Sequence, residues 1–94
     1  MNKSAQFYFA NLGADVVRCV VAAEAGDEGR YESSLERARR TLAHLHDTRR
    51  LEAYEEGVRM IQALEYARSC GDLHKFKQEV SSVVAPFVML IATS

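Results

Sequence analysis

The pattern that most limits what this chain can become is one helical hairpin written twice, about 45 residues apart. At that offset Phe9 falls on Tyr54, Val16 on Ile61, Cys19 on Leu64 and Ala22 on Ala67. Gly26-Asp27 falls on Gly71-Asp72, and Tyr31, Leu35 and Ala38 fall on Phe76, Val80 and Val83. Few of these pairs are identities, so the match is one of pattern. It predicts an all-α chain: a four-helix bundle built from two pseudo-repeated antiparallel helical hairpins, over residues 4–46 and 48–92 of a single domain spanning 1–94.

The first helix is expected from Ser4, as cap, to Ala25. Phe9, Leu12, Val16, Cys19, Val20 and Ala23 keep helical spacing, and Val17 and Val21 widen the apolar arc to roughly 200°. Gly26-Asp27-Glu28-Gly29 reads as the turn. The second helix is expected from Arg30 to His46, with Tyr31, Leu35, Ala38, Leu42 and Leu45 as a narrow seam. That rhythm slips at His46–Arg50, which predicts a break with Asp47 or Thr48 capping the third helix; one continuous long helix is the alternative. The third helix should end at Cys70, with Gly71 at C′ and Asp72 capping the fourth. The small residues Ala53, Gly57 and Ala67 allow a close helix–helix approach. From Val83 to Ala92 the fourth helix is apolar on every face, and Pro86 predicts a kink or an end near Ala85.

Net charge is −1, so no global field draws nucleic acid or an anionic membrane. Ten uncharged residues, Val83 to Ala92, cannot cross a bilayer core that needs about 20 in a helix. A cytoplasmic protein is expected, with Cys19 and Cys70 as buried thiols and a disulfide as the minor reading.

Six arginines crowd between Arg30 and Arg50. A phosphate or nucleic-acid patch is one reading. A solvated face is the other, with Glu36–Arg40 and Glu55–Arg59 at favourable ion-pair spacing and Glu52, Glu55 and Glu56 facing the arginines. The second reading is preferred, since the one aromatic residue among the arginines, Tyr31, belongs to the apolar seam and is not expected to stack a base. His44 and His46, two apart on a helix, diverge by about 200° and cannot share a metal. Neither a metal nor a cofactor is expected. Glu65 and Arg68 either pair at the edge of the core or mark the end of the apolar arc.

Arg39-Arg40-Thr41-Leu42-Ala43-His44 resembles the Arg-x4-His signature of the HEPN ribonucleases, small helical bundles that pair two such motifs across a dimer. The resemblance implies phosphate binding by Arg39 and proton transfer by His44, but here the motif stands mid-chain. The segment from Gly29 to Leu42 also looks like the second helix of a tetratricopeptide repeat, which implies a groove for a partner peptide. The hairpin spacing departs from that family.

The function expected is therefore a small non-enzymatic interaction module: an adaptor, small chaperone or regulatory subunit. Its apolar helix faces are broad enough to call for a homodimer or a partner helix, through Phe87, Met89, Leu90, Ile91, Gly57 and Met60. The alternative is a HEPN-like ribonuclease or nucleic-acid binder using Arg39, Arg40 and His44.

Overall fold

The computed structural model describes residues 4–93, with side chains described as far as Val83. The chain forms four helices: α1 (Ala5–Glu24), α2 (Glu28–Asp47), α3 (Leu51–Cys70) and α4 (Leu73–Thr93). They pack as a four-helix bundle, with successive helices antiparallel because two or three residues join them. The element spacing agrees with the offset in the sequence, and that agreement alone implies no duplication.

Local chemistry sets the ends. The Ser4 hydroxyl accepts from the Phe7 amide at 3.2 Å, opening α1. The Asp27 carboxylate does the same for Arg30 at 3.0 Å, so α2 begins at Glu28 and Gly29 is helical. The first turn is thus shorter than its glycines suggest. Gly26 and Gly71 take positive φ, 73° and 80°, where a glycine carries no Cβ penalty.

The break after α2 falls where the slipped rhythm places it, but its chemistry differs. Neither Asp47 nor Thr48 caps α3. Thr48 is the C-cap of α2, its hydroxyl donating to the Leu45 carbonyl at 2.7 Å. Arg49 adopts φ 62°, an unfavourable conformation for a side-chain-bearing residue, and Arg50 stands at the α3 N-cap with no side-chain hydrogen bond. Pro86 does not end α4, which continues to Thr93.

The bundle is a rhombus in section. α1 and α3 touch each other and both remaining helices, while α2 and α4 are not in contact among the described residues. Three neighbours explain the wide apolar arc of α1. Leu12, Val16, Cys19 and Val20 are fully buried, each aliphatic worth about 1.5–3 kcal/mol. The breadth of α1 is therefore satisfied from within, and Val21 is its main exposed apolar side chain.

Gly57 makes the short diagonal possible. A Cβ there would meet Leu12 Cδ2 and Leu42 Cδ1 at 2.8 Å and Leu45 Cδ2 at 3.3 Å. Leu12 and Leu45 are fully buried and have little room to retreat. Gly57 and Met60, expected at an interface with another chain, lie inside the bundle: the close approach that glycine allows is taken up by α1 and α2.

Two substitutions test this account by urea denaturation. Gly57→Ala gains about 1 kcal/mol of helix propensity but overpacks three leucines, and a net loss of about 1 kcal/mol is expected. Arg49→Gly relieves the positive φ and should raise stability by about 1 kcal/mol.

Candidate functional site

The chemistry-bearing side chains divide between the two flanks of α2. On the α1 flank, the Thr41 hydroxyl donates to Asp15 Oδ2 at 3.3 Å, and Arg18 Nη1 meets Asp15 Oδ1 at 2.8 Å. Asp15 is 3% exposed and is the one buried charged side chain among the described residues. One turn further along, His44 stacks on Tyr8 with ring centroids 5.4 Å apart. On the α3 flank, Arg39 pairs with Glu65 at 3.1 Å, Arg68 pairs with Glu28, and His46 meets the edge of Tyr54. The Arg68 guanidinium also lies 3.9 Å from the centroid of the Tyr31 ring.

These contacts revise several expected pairs. Glu65 and Arg68 do not pair with each other; each reaches α2 instead. Arg59 takes Glu56 at 2.8 Å in place of Glu55, and Arg40 forms no ion pair with Glu36. Arg39 and His44 leave α2 on opposite flanks, one toward α3 and one toward α1. The Arg-x4-His spacing therefore assembles no common site within one chain. His44 and His46 are likewise separated, and no three His, Cys, Asp or Glu side chains among the described residues could share a metal ion.

Burial and ion pairing tune three groups. The Cys19 thiol, fully buried against the Tyr31 carbonyl, is pushed up from 9.0 to about 11 by desolvation and by the Asp15 charge. Burial also raises the Tyr31 phenol, opposed by its hydrogen bond to Arg68. The Glu28 carboxylate raises the Arg68 guanidinium. Both cysteines are free, and Cys70, expected to be buried, is exposed.

A second region lies at the other side of α1. A recess of about 680 Å³ opens between the starts of α1 and α3, lined by Ala5, Phe9, Arg49, Arg50, Leu51 and Glu56 among others. It shares Phe9 and Glu56 with a furrow of about 210 Å³ between α3 and α4, which adds Arg59, Met60, Phe76, Glu79, Val80 and Val83. Leu51 and Val83 are 64% and 55% exposed at its edges. Phe87, Met89, Leu90 and Ile91, expected at a docking end, lie outside the described side chains. No helix among the described residues is long and apolar enough to cross a membrane.

Sequence reasoning passed over Tyr8 and Asp15. Asp15 could have been found, because it falls on the apolar arc three residues after Leu12 and four before Cys19.

Comparison with known protein families, with curated proteins and with solved structures gives no match.

The two cysteines should differ in reactivity. At pH 8 a thiol-specific reagent is expected to modify Cys70 readily and Cys19 only on unfolding. The unfolded Cys19 thiol ionises near 9.0 and the folded one near about 11. Between those values the unfolded chain has lost a proton that the folded chain keeps. Stability should therefore be unaffected by this group below pH 9 and fall by roughly 2–3 kcal/mol as pH rises through that window, an effect that Cys19→Ala abolishes.

Proposed function

We propose that the protein is a helical protein-interaction module that associates with a second copy of itself through the α3–α4 furrow. The role is that of an adaptor, small chaperone or regulatory subunit and not of an enzyme. The observation that carries this reading is the pair of adjoining recesses that share Phe9 and Glu56, one reaching Leu51 and the other Val83, with Met60, Phe76 and Val80 lining the second.

The charge around it favours a second copy. Arg49, Arg50 and Arg59 stand on its rim with Glu52, Glu56 and Glu79, three of each sign. A two-fold interface sets one patch against itself, so a balanced rim is self-complementary, whereas a one-signed rim would repel. A balanced rim also gives no attraction for a polyanion. Val83 begins a ten-residue segment without a charge, and α4 remains helical through it.

Sedimentation equilibrium tests the proposal. The wild-type chain should show twice the chain mass at tens of micromolar. Leu51→Glu combined with Val83→Glu changes two exposed positions and should weaken association at least tenfold with little loss of helicity. A wild-type monomer at 200 µM overturns the reading, as does a double variant that associates unchanged.

A further inference from the structure

The charges of α2 sort by flank in a way that the linear sequence hides. Thr41 and His44 mark the flank facing α1, through Asp15 and Tyr8. At about 100° per residue, Arg30 and Arg37 fall on the same line as these two, and Arg40 lies about 40° beyond His44. Arg18 reaches this seam from α1 through Asp15. All four arginines and His44 are exposed. Glu28 lies on the opposite flank with Arg39, as their contacts to α3 show, and by the same geometry Glu32 joins them, while Glu36 stands on the outer back about 40° from Arg40.

The row is partly neutralised at its ends, where Arg18 pairs with Asp15 at 2.8 Å and Arg30 with Asp27 at 4.0 Å. Between them Arg37 and Arg40 form no ion pair among the described residues, although Glu36 stands one turn before Arg40. Asp15 is buried beneath Arg18, and Asp47, beyond the end of the row, is 3.7 Å from His46. Ser33, Ser34, Thr41 and Asn11 supply the uncharged polar positions along the seam. From Arg30 to His44 the row runs about 21 Å. Every cation in it is arginine, whose planar fork binds phosphate oxygens in pairs, and its far end carries the exposed His44 ring stacked on Tyr8.

We infer that this α1–α2 flank binds the phosphodiester backbone of a single-stranded nucleic acid, with Arg30, Arg37 and Arg40 on phosphates and the His44–Tyr8 pair at the end as a stacking platform. A narrow row one helix wide follows a single strand, and guanidinium contacts with a ring to stack on are what such strands use. Arg39 and Arg18 have no part in it, being committed to Glu65 and to Asp15. No cleavage is implied. The surface lies on the other side of α1 from the furrow, so it stands whether or not the chain self-associates.

Fluorescence anisotropy with labelled ten-nucleotide oligouridylate and oligothymidylate tests it on the full chain. Micromolar binding to at least one is expected, and the tighter of the two identifies RNA or DNA as the source of the phosphates. The log–log salt slope should be about −2.1 for three phosphate contacts and about −0.7 after Arg37→Gln with Arg40→Gln, with affinity lowered at least tenfold. Arg37→Glu with Arg40→Glu should lose more, with circular dichroism unchanged. Lys75→Glu with Lys77→Glu, the same charge change on α4, should alter affinity less than twofold. Absence of binding to both strands at 50 mM salt overturns the inference. So does an equal loss in the α4 variant, or displacement of the strand by polyglutamate at matched charge, which would make the partner an acidic protein.

Discussion

The contact between α1 and α3 is the constraint on which the rest of the bundle depends. Two helices on a short diagonal must come nearer than their side chains ordinarily permit, and the absence of a Cβ at Gly57 provides that room. Leu12, Leu42 and Leu45 then close over the α3 backbone, so one residue joins three helices. A glycine in mid-helix weakens the local helix by about 1 kcal/mol, and burial of three leucines offsets this several times over. The same closeness gives α1 three neighbours, hides its valines and leaves α2 and α4 apart on the outside.

This placement separates two surfaces of different character. α4 packs on α1 and α3 over a furrow whose rim carries both signs of charge. α2 packs on the same two helices from the other side, and its own charges divide: carboxylates and a paired arginine toward α3, Arg30 and the unpaired Arg37 toward α1. A chain with net charge −1 can thus hold a locally basic strip, because short-range contacts respond to the local field and the net charge acts mainly at longer range.

Much of the architecture was legible from residue spacing. Period and turn chemistry located four helices, the Ser4 cap, the positive-φ Gly71 and the break near His46–Arg50. What spacing could not supply was anything that depends on a neighbour distant in sequence. Local rules propose Glu36–Arg40 and Glu65–Arg68; Arg68 instead crosses to Glu28, Glu65 to Arg39, and Arg40 stays unpaired. Arg49 gave no signal, because an arginine in a left-handed conformation is dictated by the turn around it. The broad arc of α1 was correctly seen and its explanation misplaced: a central position needs the same breadth as an external partner. The candidate sites suffered most for this reason, since Tyr8, Asp15, Thr41 and His44 become one group only when α1 and α2 lie side by side.

Asp15 carries a consequence for how α1 and α2 align. A seam of leucine, valine and alanine tolerates a slide by one helical turn, about 5.4 Å, because each apolar knob finds another apolar hole. The carboxylate removes that freedom. Moved by a turn, it would keep Arg18, which lies on its own helix, but lose the Thr41 hydroxyl and leave a buried oxygen without that donor, at a cost of about 1–3 kcal/mol. One acidic side chain thereby acts as the detent of the hairpin, selecting a single alignment from a series that greasy contacts alone would leave nearly equal in energy.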